Sequence, residues 1–244
     1  MVDGQRTEPL GNGVQIIVSD DHHFATDTVL LADFAKPAAR EKAVDLGSGC
    51  GTIPLLWSRG NAPAHTVAVE LQQEACDMLV RSIAMNCLEE KITVLHADLR
   101  NLKGLLPLGV FDLVVCNPPY KTLGSGLVNP SYAQKLARHE YTCTVSDAAM
   151  AASSLLRFGG RFCLCQRPER LCDSIQAFRQ AGLEPKRLRF VQPREDKAPK
   201  LFLIEAKKGA RPGGLCTEPA LFIERNGRLS DEMRAIYGSY KDGH

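Results

Sequence analysis

The chain has 244 residues, of which 44% are hydrophobic and 24% charged, and its formal net charge is +2. These values are ordinary for a soluble globular protein. No apolar run approaches the roughly 18 residues that a membrane-spanning helix needs, and residues 1–6 lack the apolar core of a signal peptide. We therefore expect a cytoplasmic protein with reduced cysteines, and the absence of any Cys-x-x-Cys pair argues against a metal site.

The first predicted elements are a short strand over residues 14–18 and a helix over residues 28–35. Thr26 or Asp27 is suited to cap this helix. The preceding pair His22 and His23 has no carboxylate or cysteine partner at ligand spacing. We expect these histidines to be loop residues.

A glycine-rich turn follows the first core strand, residues 43–46. The run Gly47-Ser48-Gly49-Cys50-Gly51 leads into a predicted helix over residues 52–59, and such a turn lets a ligand approach the backbone at a helix N-terminus. Thr52 stands where the dinucleotide pattern has its last glycine, which disfavours a dehydrogenase. Asp45, two residues before the first glycine, can receive a ligand's ammonium group.

Acidic residues also follow the next two predicted strands. Strand 66–69 ends in Glu70, which suits the two hydroxyls of a ribose, and strand 91–96 precedes Asp98, which can accept from the amino group of an adenine. Each acid could instead cap a helix or form a turn. Their recurrence at successive strand ends favours a shared ligand site.

The fourth core strand, residues 110–116, ends at the run Asn117-Pro118-Pro119-Tyr120. The prolines stop the strand and make the turn stiff and extended. The Asn117 side-chain oxygen and the Pro118 carbonyl can both accept hydrogen bonds from one planar amino group, and the Tyr120 ring can stack on the group that carries this amine. Taken alone, the run could equally be a loop that merely ends a strand.

The second half of the chain continues the alternation of strands and helices. Residues 121–137 are rich in Gly, Ser, Asn and Pro, which predicts a long loop over the site. After it we expect a helix over 147–158 ended by glycines, a strand over 161–165, a helix over 168–181 and an antiparallel hairpin of strands 187–192 and 200–206. The predicted fold is α/β: a doubly wound, mostly parallel seven-stranded sheet with a C-terminal antiparallel hairpin. We expect one domain over residues 1–244, with an N-terminal segment (1–35), a core (36–208) and an extension (209–244).

Positive charge is concentrated late in the chain. Residues 157–211 contain 14 Lys or Arg against 6 Asp or Glu, so the remainder is net negative. An outward-facing basic section would suit a polyanion such as nucleic acid. Scattered solvating charges would give the same count.

Between residues 20 and 206, the ordered motifs resemble those of class I S-adenosylmethionine-dependent methyltransferases, which have a Rossmann-like fold. The resemblance implies S-adenosyl-L-methionine as the cofactor, no metal, and a catalytic turn formed by Asn117, Pro118, Pro119 and Tyr120. Carried over residue by residue, it implies cofactor contacts from Thr26, Asp27, Asp45, Gly47, Ser48, Gly49, Gly51, Glu70, Leu71, Asp98, Leu99 and Asn117.

A narrower resemblance is to the bacterial tRNA adenine methyltransferases that modify an adenine beside the anticodon of a valine tRNA. It is carried by residues 24–31, by Ala137-Arg138-His139-Glu140 and by the basic hairpin, although Thr26 departs from the family's usual residue before Asp27. It implies methylation of adenine N6 in tRNA or another structured RNA by a protein expected to be a monomer. RNA contacts are expected from Lys121, Arg138, Arg194 and Lys197.

Three other functions share parts of this pattern. Protein glutamine methyltransferases use the same Asn-Pro-Pro-Tyr turn, but they have a sizeable helical domain before the core, whereas about 40 residues precede Asp45 here. Methylation of the guanine 2-amino group in ribosomal RNA would suit the same fold. A non-catalytic RNA-binding module is disfavoured because Asp45, Glu70, Asp98 and Asn117 are all present.

Overall fold

A computed structural model describes residues 4–60, 62–118 and 143–238. The long strands are β1 (Gln5–Gly11), β2 (Val14–Ser19), β3 (Lys42–Leu46), β4 (His65–Glu70), β5 (Ile92–His96), β6 (Phe111–Cys116), β7 (Leu156–Gln166), β8 (Leu183–Gln192) and β9 (Leu201–Lys208). Four two-residue strands follow: β10 (Cys216–Thr217), β11 (Leu221–Phe222), β12 (Glu224–Arg225) and β13 (Arg228–Leu229). The helices are α1 (Thr26–Ala35), α2 (Thr52–Ser58), α3 (Gln73–Met85), α4 (Val145–Leu155), α5 (Leu171–Gln180) and α6 (Asp231–Tyr237).

The central sheet confirms the predicted fold class. Its long strands lie in the order β8-β9-β7-β6-β3-β4-β5. Strands β3 to β7 are mutually parallel, and β9 runs antiparallel to both β7 and β8. The short strands β10 and β11 add to the outer edge of β8.

Alternating side chains bury both faces of the sheet. Along β6, Leu113 and Val115 pack with α1, α2 and α3, whereas Val114 and Cys116 pack with α4 and α5. A strand buried on both faces explains why this segment is a continuous apolar run. The strand ends, rather than their faces, are therefore available for polar ligand groups.

Helix α1 is held against the sheet by polar contacts along its length. The indole of Trp57 donates to the Ala32 carbonyl at 3.0 Å. At the C-terminus of the helix, Arg187 donates to the Phe34 carbonyl at 2.7 Å and Arg161 donates to the Ala35 carbonyl. Because a helix C-terminus carries unsatisfied carbonyls and partial negative charge, these two guanidinium groups stabilise α1.

Two boundaries differ from the sequence prediction. Helix α4 ends at Leu155 and β7 begins at Leu156, so the two glycines lie within the strand instead of ending the helix. A Cβ on Gly160 would lie 3.0 Å from the Phe111 carbonyl oxygen, so this glycine permits a close strand contact at an irregularity in β6–β7 pairing. Strand β1 was not predicted, because its polar residues and Pro9 hide the pattern of a hairpin.

The predicted capping of α1 is also wrong. The helix begins at Thr26, and Ala25 holds the N-cap position. Both Thr26 and Asp27 therefore lie in the first turn, where their side chains make other contacts.

Candidate functional site

Parallel strands bring the candidate ligand residues to one edge of the sheet. Strands β3, β4, β5 and β6 run in the same direction, and Leu46 at the end of β3 pairs with Val69 on one side and Cys116 on the other. Asp45, Glu70 and Asn117 therefore lie at neighbouring strand ends, as the sequence predicts.

Asp45 is almost fully buried, with an exposed fraction of 1%. Ser48 Oγ donates to Asp45 Oδ2 at 2.7 Å. Burial raises the pKa of Asp45 from 3.8 to about 7, the Ser48 hydrogen bond opposes this increase, and the Glu70 carboxylate adds to it. A cationic group beside Asp45 would offset the cost of keeping this carboxylate ionised.

The glycine turn is held between β4 and the start of α2. The amides of Gly47 and Ser48 donate to the Val69 carbonyl at 2.9 and 3.0 Å. Gly47 and Gly49 have φ values of +74° and +55°, and a Cβ on either would have nothing within 4 Å. Their open side lies where a ligand could approach the backbone. Glycine is required at position 51 for packing instead, since a Cβ there would lie 2.0 Å from Leu79 Cδ1.

Glu70 organises the turn as well as ending β4. Its Oε2 accepts from the Gly49 amide at 2.8 Å, and its Oε1 accepts from the amides of Leu71 and Gln72 at 2.9 and 2.8 Å. The residue is 5% exposed. Within the described ranges neither Glu70 nor Asp45 forms a salt bridge, so these two buried carboxyl groups suit a ligand that brings an ammonium group and hydroxyl donors.

Asp98 takes the turn-forming role that its sequence position also allowed. It is the N-cap of a 3₁₀ turn, Leu99–Asn101, and accepts from the Arg100 amide at 2.9 Å. The Arg100 guanidinium binds both carboxylate oxygens and lowers the pKa of Asp98. Leu99 packs against the core beside it. The carboxylate retains acceptor capacity, so a contact with a ligand amine stays a prediction.

Asn117 contacts the first turn of α1. Its Nδ2 donates to Thr28 Oγ1 at 3.0 Å, across a separation of 89 residues. The Thr28 amide in turn donates to Asp27 Oδ1 at 2.7 Å, and Pro118 beside Asn117 is buried. Thr28 was predicted to begin α1 but was absent from the predicted site residues, because nothing in the local pattern relates it to a turn so distant in the chain.

The last helix also reaches this turn of α1. Tyr237 Oη lies 2.9 Å from Thr26 Oγ1. Arg59 donates to the carbonyls of Ile236 and Tyr237, at the end of α6, at 3.2 and 2.8 Å. The C-terminal extension therefore supports the segment that carries Thr26, Asp27 and Thr28.

Much of the positive charge in residues 157–211 is paired within the fold. Arg157 binds Asp112 at 2.6 Å, and Arg161 binds Glu41 at 2.7 Å. The acids of these pairs lie outside residues 157–211, which is why the count along the sequence overestimates the basic surface.

Arg194 and Lys197 lie on the loop between β8 and β9. Both side chains are about half exposed, and both pair with Asp196, at 3.3 and 3.7 Å. Because β7 and β8 are both antiparallel to β9, β8 ends at the same edge of the sheet as Asn117. Three strand steps separate β6 from β8, a distance of about 14 Å.

Several predicted residues lie outside the described ranges: Pro119, Tyr120, Lys121, Arg138 and the run of residues 137–140. Among the residues that are described, no helix is long and apolar enough to cross a membrane. In the same ranges, no cluster of three His, Cys, Asp or Glu residues could hold a metal ion.

Comparisons with known proteins agree with this geometry. Residues 17–164, from β2 to β7, match the family model described as methyltransferase small domain. A protein of Parabacteroides distasonis named tRNA1(Val) (adenine(37)-N6)-methyltransferase is 31% identical over 219 residues, which are 86% of this chain and 87% of the relative. A Photobacterium profundum protein of the same name is 28% identical over 214 residues, covering 87% of this chain and 88% of the relative.

Solved structures share the fold. A predicted O-methyltransferase from Agrobacterium tumefaciens superimposes with a TM-score of 0.68 at 23% identity, covering 87% of this chain and 95% of that chain. The tRNA m1G37 methyltransferase of M. jannaschii gives 0.57 at 16% identity, covering 86% and 59%. At these identities the likeness concerns the fold alone.

Proposed function

Because this chain belongs to the methyltransferase small domain family, we propose that it transfers a methyl group from S-adenosyl-L-methionine to N6 of an adenine in tRNA. The methyltransferase class expected from the motifs is confirmed by the family match. The assignment of the substrate rests on the name shared by the two relatives reported above, each of which aligns with more than four-fifths of this chain.

The described residues fit this cofactor. Asp45 and Glu70 supply buried acceptors at adjacent strand ends, suited to an ammonium group and to a ribose diol. Gly47 and Gly49 leave open space beside the backbone at the same edge. Thr26, Asp27, Ser48, Gly51, Leu71, Asp98 and Leu99 remain proposed neighbours of the cofactor.

Asn117 and Pro118 are proposed to act on the target amine. The amino group of adenine is conjugated with its ring, so its lone pair is a poor nucleophile. Hydrogen bonds from this amine to Asn117 Oδ1 and the Pro118 carbonyl would favour a more tetrahedral nitrogen whose lone pair is free to react. Bound S-adenosylmethionine supplies a methyl group that is already electrophilic, so Asn117 and Pro118 act by positioning and no strong base is required.

Pro119 and Tyr120 complete the proposed catalytic turn. Pro119 would keep the backbone extended, and the Tyr120 ring would hold an adenine that has been unstacked from the RNA. The amine proton would leave to water after methyl transfer. These two roles rest on the resemblance of the motif.

The RNA is proposed to pass over the loop between β8 and β9. Arg194 and Lys197 lie on the same edge as Asn117 and are half exposed, so they could contact phosphates beside the target nucleotide. Lys121 and Arg138 are proposed to contribute from the segment after the catalytic turn. With tRNA as substrate, the expected location is the cytoplasm.

The proposed function is tested by incubating the purified protein with S-adenosylmethionine and valine tRNA transcripts, followed by mass spectrometry of the nucleosides. We expect N6-methyladenosine at one position and none with a transcript in which that adenine is replaced. Methylation of guanine in the same assay, or of a glutamine in an added protein fraction with none in tRNA, would overturn the assignment of substrate.

A further inference from the structure

We infer that Thr28 is a positioning residue that fixes the orientation of the Asn117 side-chain amide. This inference rests on the proposed function, because it concerns the oxygen that would accept from the target amine. An asparagine amide turned by half a rotation about its last bond keeps its shape but exchanges an acceptor for a donor. Only the orientation with Oδ1 toward an amine can accept a hydrogen bond from it.

The direction of a short hydrogen-bond chain selects this orientation. Asn117 Nδ2 lies 3.0 Å from Thr28 Oγ1, and Thr28 Oγ1 lies 3.4 Å from Asp27 Oδ1. A carboxylate only accepts, so the Thr28 hydroxyl donates to Asp27 and offers a lone pair to Asn117. The amide must then present its NH₂ group to Thr28, which places Oδ1 on its other side.

The hydroxyl is carried by a rigid element. Thr28 lies in the first turn of α1, and its amide donates both to the Ala25 carbonyl at 3.2 Å and to Asp27 Oδ1 at 2.7 Å. The far end of the same helix is bound by Arg187 through the Phe34 carbonyl. Since a β-branched side chain has few rotamers, threonine holds its hydroxyl in place better than serine would.

If the contact between Thr28 and Asn117 only stabilised the fold, its loss would have different kinetic effects from the loss of a contact that positions the amide. Thr28→Val keeps the branched shape of the side chain and removes the hydroxyl, with its hydrogen bonds to Asn117 and Asp27. A positioning role acts only through the Asn117 amide. The effect of Thr28→Val must therefore disappear when Asn117 is already alanine.

The test measures kcat, KM for tRNA and the cofactor dissociation constant in four proteins: the wild type, Thr28→Val, Asn117→Ala and the double variant. We expect Thr28→Val to lower kcat about tenfold, equivalent to about 1.4 kcal/mol, with cofactor affinity unchanged. Thr28→Ser should recover most of the wild-type rate, and the double variant should equal Asn117→Ala. A wild-type rate in Thr28→Val, or a further tenfold loss in the double variant, would overturn the inference.

A second measurement does not depend on activity. The side-chain amide signals of Asn117, assigned in ¹⁵N NMR spectra by their loss in Asn117→Ala, should shift and exchange faster in Thr28→Val but not in Thr28→Ser. Unchanged signals in Thr28→Val would exclude the hydrogen bond. If the wild type methylates no tRNA, the proposed function fails, and the NMR result still decides whether Thr28 orients Asn117.

Discussion

The hydroxyl of Tyr237 in the last helix lies 2.9 Å from Oγ1 of Thr26 in the first turn of α1, a separation of 211 residues. A helix near the C-terminal end of the described residues therefore contacts the first turn of α1, where Thr26 is a proposed neighbour of the cofactor. Tyr237 is buried, and the end of its helix is held by Arg59. The C-terminal extension thus supports the segment that precedes the core.

Replacing Tyr237 with Phe should remove this hydrogen bond while keeping the packing of the ring. A single hydrogen bond is worth about 0.5–1.5 kcal/mol, so we expect the melting temperature to fall by about 1–6 °C in a chain of this size. Calorimetry should show the same loss for Thr26→Val. Because the two residues share one bond, the double variant should lose little more than either single variant; strictly additive losses would contradict the contact.

The pKa of Asp45 predicts how stability depends on pH. Burial raises this pKa from 3.8 to about 7, so between these values the folded protein without cofactor holds a proton that the unfolded chain has released. The contribution of Asp45 to the free energy of unfolding therefore falls as pH rises across that range. Denaturant titrations should show a smaller fall for Asp45→Asn than for the wild type. Equal pH dependence in both proteins would contradict the raised pKa.

Cofactor binding should lower the raised pKa of Asp45. A ligand ammonium beside Asp45 favours its ionised form, so S-adenosylmethionine binding near pH 7 should release a fraction of a proton. Calorimetry in buffers of different ionisation enthalpy measures this release directly. It should be absent in Asp45→Asn, and an equal release in that variant would mean that another group is responsible.

Arg187 in β8, which binds the C-terminus of α1, should contribute strongly to stability. Arg187 binds Glu205 at 3.0 Å and Glu218 at 3.2 Å, donates to the Phe34 carbonyl and covers the Phe34 ring at 3.8 Å. Removing one partner of a buried ion pair costs about 3–5 kcal/mol. Glu205 is mostly buried but would keep Arg161 at 3.4 Å, so Arg187→Met should cost about 3 kcal/mol of unfolding free energy, the low end of this range, measured by urea denaturation.

A matched control for Arg187 is Arg170→Met. Arg170 forms an exposed pair with Asp173 at 3.0 Å, and such surface pairs contribute about 0–1 kcal/mol. The control should therefore unfold almost as the wild type does. If both variants lost similar unfolding free energy, the contacts of Arg187 with Glu205 and the end of α1 would contribute no more than an exposed ion pair.

Most of the core could be predicted from local patterns. Apolar runs bounded by glycine, proline or acid marked β3, β4, β5 and β6, and the rule that parallel strands share one ligand edge placed Asp45, Glu70 and Asn117 together. Helix capping is equally local, because it depends on neighbours in sequence: the Ser230 hydroxyl accepts from the Met233 amide at 3.1 Å.

Contacts between distant segments could not be predicted in this way. Thr28 meets Asn117 only because α1 packs across the sheet, and no local pattern records that contact. Pairing of charges has the same limit: Arg161 is neutralised by Glu41, 120 residues earlier, so a sum over neighbouring residues misjudges the surface. The predicted end of α4 was wrong for a similar reason. Two successive glycines usually stop a helix, but in this protein they lie inside β7, near an irregularity in its pairing with β6.

The RNA surface is tested by charge reversal. Arg194→Glu with Lys197→Glu should weaken tRNA binding and reduce its salt dependence, because each lost phosphate contact lowers the slope by about one. Arg40→Glu with Lys42→Glu is the matched control, since these exposed residues lie at the start of β3, at the opposite edge of the sheet from Asn117. Binding by filter retention over a range of salt should distinguish the two pairs. Equal losses would indicate nonspecific attraction, and no loss in the first pair would exclude this loop.

The central claim is that Asn117 acts on the target amine, and the most direct test is the single-turnover rate of tRNA methylation by Asn117→Ala. The buried strand before Asn117 and the two prolines after it should keep the turn in place, so cofactor affinity should change little. Loss of one preorganised hydrogen bond, about 2–4 kcal/mol, predicts a rate lower by about 10²-fold or more. Methylation at the wild-type rate by a cofactor-saturated Asn117→Ala protein would contradict the account.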